Sequence, residues 1–92
     1  MSKTSPPTRA ERTRQTRHRM LDSARTLFLS QGYADTTMTQ IAQRADVAVQ
    51  TLYYTFKTKG QLLIEVVEVT AAGDPDPLPV PQRPWFQEMM SS

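Results

Sequence analysis

The sequence predicts an all-α protein: a three-helix bundle containing a helix-turn-helix, followed by a connecting fourth helix. Three observations carry this. Apolar residues recur at three- and four-residue spacing in four stretches, the period of a helix with one buried face. Three of the stretches open on Thr followed three residues later by Glu or Gln (Thr8 and Glu11, Thr37 and Gln40, Thr58 and Gln61), the pattern of a capping box. The two middle stretches are short and are separated by little more than Asp46-Val47, a tight corner in which Asp favours the turn and one apolar residue pins it.

Taken in order, residues 1–8 form a tail of Ser, Thr, Lys and Pro with nothing to bury. The first helix opens at Thr8, carries Arg9, Arg12, Arg14, Arg17, Arg19 and Arg25, and buries Met20, Leu21, Ala24, Leu27 and Phe28. Because that stripe starts only near Met20, fraying is expected before Arg12. Gly32 ends the helix, where positive φ is cheap for glycine. The second helix turns Met38, Ile41, Ala42 and Ala45 inward. The third, about residues 48–55, directs Ala48, Leu52 and Phe56 inward. The fourth runs from Thr58 to about Ala72, with Leu62, Leu63, Val66, Val67 and Val69 forming an apolar band broader than a small bundle needs.

Residues 74–84 hold five of the seven prolines, so an extended linker is expected there. Trp85, Phe86, Met89 and Met90 read as the start of another helix, too short to stand without a partner. The expected organisation is therefore a tail over 1–8, a folded domain over 9–73 with its helix-turn-helix at about 37–56, and over 74–92 a linker with the beginning of an absent second domain.

Charge divides the chain. Residues 1–60 hold ten Lys and Arg against four acids, while residues 61–92 hold Arg83 against five. The basic half surrounds the two short helices, as an electrostatic footprint on phosphate requires. The third helix itself turns Gln50 and Tyr54 outward, with Val49, Thr51 and Tyr53 on its flanks: an amide, a hydroxyl, two phenols and a branched apolar group, without charge. Such a face suits the major groove, where base edges ask for donors, acceptors and methyl contacts.

With no cysteine, disulfides and thiolate metal sites are excluded. No apolar run approaches a membrane span and the N-terminus lacks a secretory apolar stretch, so a soluble cytoplasmic protein without membrane contact is expected. An enzyme is not: there is no Gly-rich phosphate loop, no His–carboxylate set and no core large enough for a pocket. No cofactor or metal is expected, and His18, the only histidine, reads as an exposed helix residue.

The run from Ala45 to Lys59, ADVAVQTLYYTFKTK, resembles the signature of the tetracycline-repressor (TetR) family, some version of AGVSxGTLYxHFxSKExL. Thr37, Ile41, Ala42, Ala45, Val47, Thr51, Leu52, Tyr53, Phe56, Lys59 and Leu62 sit where that pattern wants them, and the resemblance spans about residues 12–72. Asp46 stands in place of the turn glycine, Ala48 of a capping Ser, Gln50 of a small residue and Gly60 of a Glu.

The resemblance implies a homeodomain-like fold of the TetR N-terminal type that binds a double-stranded DNA operator, most often as a repressor. It also implies a homodimer in the full-length form and an inducer site beyond this chain, leaving the 92-residue chain monomeric or weakly associating. It places Thr37 and Thr39 at phosphate, where helix amides and dipole also favour an anion, and Thr51 and Tyr53 on backbone phosphates. Val49, Gln50 and Tyr54 then face bases or sugars. Lys59, badly placed for the dipole of its own helix, is expected to take a phosphate partner, and Lys57 likewise. Phosphate is also the favoured partner of the Arg12–Arg17 group. The alternatives are a small helical protein-interaction module and an inactive truncated regulator.

Overall fold

In the computed structural model, which describes residues 8–91, the first capping box closes in both directions. Thr8 Oγ1 accepts the Glu11 N–H at 3.1 Å and Glu11 Oε1 accepts the Thr8 N–H at 2.9 Å, so two orphan donors are satisfied before helix α1 begins. α1 (Arg9–Gln31) is therefore helical from its first arginine. It ends at Gly32, whose φ of 87° is the conformation that glycine adopts without strain. The expected tail lies outside the described residues except for its last member, Thr8.

α1 is the spine. Met20, Ala24 and Phe28 are buried along one stripe, and α2 (Met38–Ala45), α4 (Lys59–Ala72) and α5 (Pro84–Met90) all pack on it, while α3 (Val49–Thr55) packs on α2. The core joins these residues to Met38, Ile41, Ala42, Ala45, Leu52, Phe56, Leu62, Val66 and Met89. Phe28 is fully buried and meets the Tyr33 ring at a 5.3 Å centroid distance, so its truncation to Ala should cost about 3–5 kcal/mol.

The corner between α2 and α3 behaves as the sequence suggests. Asp46 takes the left-handed conformation (φ 60°, ψ 47°), and the Val47 N–H reaches back to the Ala42 carbonyl at 3.0 Å. Val47 packs against the core from this turn. One inward assignment is corrected: Ala48 is exposed, because it is the extended N-cap of α3, and half-buried Val49 packs on the core instead.

The third capping box forms on one side only. Thr58 Oγ1 accepts the Gln61 N–H at 3.0 Å, but the Gln61 carboxamide takes the N–H of Lys57 rather than that of Thr58. Beyond the cap, Leu62 and Val66 are buried, while Ile64 and Val69 are 59% and 55% exposed, so the band on α4 is indeed wider than this bundle covers.

The largest departure lies beyond Gly73. In place of an extended, unattached linker, residues 74–91 fold back onto α1. Prolines supply no amide donors, and the remaining donors are shared between backbone carbonyls and aspartate side chains. Asp74 Oδ1 accepts the Asp76 N–H, Asp76 Oδ1 accepts the Leu78 N–H, and Arg83 Nε donates to the Leu78 carbonyl at 2.7 Å. A short 3-10 turn (Val80–Gln82) then leads into α5, with Pro84 in its first turn. The partner that a lone short helix lacks is α1 and the loop after it: Met89 is fully buried, and its carbonyl accepts the Tyr33 N–H at 2.6 Å.

Candidate nucleic-acid interface

α3 is only seven residues long, and Leu52 is its one buried side chain. A helix so short cannot hold itself. It is held by the turn before it and by Phe56 after it, fully buried with its N–H on the Leu52 carbonyl. One buried contact in two turns leaves the remaining face to solvent. Gln50 and Thr51 are exposed, Tyr53 is 47% exposed and Tyr54 is 80% exposed.

On one flank the first turns of α1 come alongside. Arg9, Arg12, Thr13, Thr16 and Arg17 face Thr51, Tyr54 and Thr55 across a cleft of about 330 Å³. Its exposed lining is mostly apolar, built from the stems of the arginines and threonines and the Tyr54 ring, with the guanidinium and hydroxyl ends around it. Within it Arg17 has another task, pairing with Glu65 of α4 and lying 4.9 Å from the Phe56 ring centroid. Exposed Arg9 and Arg12 make no such pair among the described residues. Arg19 is likewise committed, its Nε donating at 3.1 Å to the Ala45 carbonyl at the end of α2. Thr13, Thr16 and Thr55 escaped the sequence reading. The signal for the first two was present, since residues 9, 12, 13 and 16 share one helical face.

On the other side α2 presents its N-terminus. Thr37 and Gln40 cap reciprocally, both bonds 3.1 Å, and Gln31 Nε2 holds the Gln40 carboxamide oxygen at 2.7 Å. Thr37 and Thr39 are exposed there. Lys57 is exposed at the C-terminal end of α3, with Nζ 2.9 Å from the Tyr54 carbonyl and 5.0 Å from the Tyr54 ring centroid, a position that complements the helix dipole.

Lys59 also has partners within the fold. Its Nζ donates to the carbonyls of Tyr33 and Thr36, both at 2.8 Å, and lies 4.3 Å from the Tyr33 ring centroid. These partners offset the unfavourable position of its charge at the start of α4. Val49, too, is half-buried against the core rather than fully turned outward.

The structure thus brings Thr51, Tyr53, Tyr54, Gln50 and Lys57 together on α3 and its end, with Thr37 and Thr39 on α2 beside them in the fold. Among the described residues no group of three or more His, Cys, Asp or Glu could hold a metal ion. No helix there is long and apolar enough to cross a membrane.

Comparison with known proteins gives a consistent result. The family described as bacterial regulatory proteins, tetR family, matches residues 20–66. The uncharacterized HTH-type transcriptional regulator TtgW of Pseudomonas putida is 35% identical over 69 residues, covering 75% of this chain and 48% of its own length. The HTH-type transcriptional regulator SrpR, also of Pseudomonas putida, is 36% identical over 64 residues, covering 70% of this chain and 28% of its own length. The chain spans under half the length of the curated relatives it matches. No solved structure matches it significantly.

Proposed function

This chain belongs to the tetR family of bacterial regulatory proteins, and we propose on that footing that it binds double-stranded DNA sequence-specifically, with α3 in the major groove, as a transcriptional repressor. The observation that carries the reading is the uncharged, exposed face of Gln50, Thr51, Tyr53 and Tyr54, bordered by the arginines of α1. Gln50 and Tyr54 carry the hydrogen-bonding groups that bases recognise, and a Gln amide pairs bidentately with adenine. In this reading Thr37, Thr39, Thr51 and Tyr53 hold phosphate, and Arg9 and Arg12 add the sequence-independent attraction of a basic flank.

In the longer form of the protein, a second domain supplies dimerisation and the inducer site, and the two readers are spaced to a palindromic operator. Alone, this chain binds a half-site as a monomer or weakly associating species and lacks the effective-concentration gain of linked readers.

Selection from a random duplex pool tests the reading. A preferred half-site should emerge, bound more tightly than random DNA, with log affinity falling linearly in log salt. Equal affinity for every duplex would leave only a basic surface. Binding insensitive to salt would point to a protein-interaction module instead.

A further inference from the structure

α3 forms from its own neighbours in sequence, but they leave open how its C-terminal end lies against α1. Arg17, half-buried on α1, sits at that junction. Its guanidinium pairs with the Glu65 carboxylate of α4, 48 residues along the chain, and lies 4.9 Å from the ring centroid of Phe56. Phe56 is fully buried and closes α3, its N–H on the Leu52 carbonyl. One planar cation therefore joins α1, the end of α3 and α4, and its shape lets it face a ring and a carboxylate together. The same side chain lines the cleft in which Thr13 and Thr16 of α1 face Thr51, Tyr54 and Thr55. Glu65 is half-buried, whereas Glu68 on the same helix is exposed and pairs with no cation among the described residues.

We infer that Arg17 and Glu65 are positioning residues: Glu65 holds the Arg17 guanidinium over the Phe56 ring, and that contact sets the tilt of α3 against α1 and the width of the cleft beside its exposed face. The inference rests on the proposal that α3 reads DNA. A partly exposed ion pair contributes little to stability, so the pair matters chiefly for where it holds the helix. A reading helix must keep several side chains at hydrogen-bonding distance from base edges at once. A changed tilt therefore weakens a specific site, while random DNA, held by phosphate attraction, is indifferent to it. Glu65 also offers a test by sign. It is an acid in a molecule drawn to phosphate, so loss of its charge by itself raises affinity. A fall in affinity then reports what the carboxylate holds.

The test uses Glu65→Gln in the 92-residue chain, with Glu68→Gln as the matched loss of charge. Glu65→Gln should weaken binding to a half-site duplex selected from a random pool about threefold, and leave affinity for random duplex equal or slightly raised. NOEs across the cleft between α1 and α3 should weaken, while the Leu52 amide stays protected. Glu68→Gln should keep the cleft NOEs and leave half-site affinity equal or slightly raised. If the two variants are indistinguishable, or if Glu65→Gln loses equally on half-site and random DNA, the inference is overturned. Arg17→Lys keeps the charge but not the plane and should reproduce the loss on the half-site; unaltered affinity and cleft NOEs would overturn the role of the ring contact. Should these variants fail to fold, the unmutated chain decides. Arg17 side-chain protons shifted upfield by the Phe56 ring, with slowed guanidinium rotation, are expected, and a freely rotating group at unshifted positions overturns the tie. If the unmutated chain prefers no DNA sequence, the functional proposal fails, while the cleft NOEs of Glu65→Gln still judge the tie.

Discussion

α3 and α5 make an instructive pair. Each is seven residues long, neither has a side-chain cap at its N-terminus, and each buries one residue completely, Leu52 in α3 and Met89 in α5. They are held in opposite ways. α3 is fixed by its immediate neighbours in sequence, the left-handed turn at Asp46 and the buried Phe56. α5 is fixed by groups far away along the chain: the Tyr33 N–H, the core around α1, and the Asp74 carboxylate that accepts the Trp85 indole N–H at 2.6 Å. Local fixing leaves one whole face of α3 unused, and that face is what a partner can read. Long-range fixing makes α5 a removable strap whose contribution ends when it lifts off.

The largest expected effect separates the two directly. Leu52→Ala should cost about 2–5 kcal/mol in urea unfolding, because the cavity opens where α3 meets the domain core and nothing can detach to relieve it. Met89→Ala removes a side chain of similar burial, but its cost is limited to the docking free energy of α5, about 2 kcal/mol. Adding Trp85→Ala to Met89→Ala should then add less than Trp85→Ala costs alone, since both act on one detachable unit. Strict additivity, or equal losses at Leu52 and Met89, would break the distinction.

The same contrast explains what could be read in advance. The helices of the first 72 residues are written in local signals: three Thr caps, Gly32 at a chain reversal, Asp46 at a left-handed turn, apolar stripes of period 3.6. α5 has no such closing signal, because the groups that stabilise it, Tyr33 and Asp74, are distant or lie in a stretch that its prolines mark as linker. The contacts of Lys59 within the fold were hidden for a related reason. Its position and charge were legible, but the pair of carbonyls it reaches lies 26 and 23 residues away. The exposed face of α3 was legible because a short helix with one inward anchor fixes every other direction by simple rotation.

Function should divide along the same line. Gln50→Ala is expected to lower discrimination among half-site variants by about 1–3 kcal/mol at one adenine-containing position, measured by competition binding. Gln87→Ala, an equally exposed glutamine on α5, should leave discrimination unchanged. Equal loss on specific and random DNA for Gln50→Ala would show that it only supports the surface. Equal effects of the two substitutions would remove the assignment of reading to α3.

Acid should release the strap and spare α3. The Trp85 indole N–H, the Asp76 amide and Arg83 favour the Asp74 carboxylate, holding its pKa below the ordinary aspartate value. A depressed folded pKa contributes stability that is present above the unfolded value and is lost as pH falls through the folded one. The expected outcome is a fluorescence change of Trp85, the only tryptophan, in that acidic window, before α3 loses its helical signals by NMR. Asp74→Asn should abolish the separate step, and a single transition shared by both helices would join them into one unit.

The smallest effect concerns the missing caps. Ala48 is exposed at φ −68° and ψ 145°, the extended conformation of an N-cap, but offers no side-chain acceptor to the first amides of α3. Ala48→Ser supplies one without disturbing any packed group, and should stabilise the chain by about 0.5–1 kcal/mol in urea unfolding. The equivalent position in α5 is Arg83, also extended at φ −78° and ψ 140°. There Arg83→Ser would add the same hydroxyl while removing the Nε bond to the Leu78 carbonyl and the contact with Asp74 at 3.6 Å. A cap helps where local contacts hold the helix, and should fail where the residue it replaces is itself part of the long-range attachment. Arg83→Ser is therefore expected to destabilise α5 and raise amide exchange at Trp85 and Phe86. Stabilisation by both substitutions alike would mean that α5, too, is limited by its own helix end rather than by its anchors.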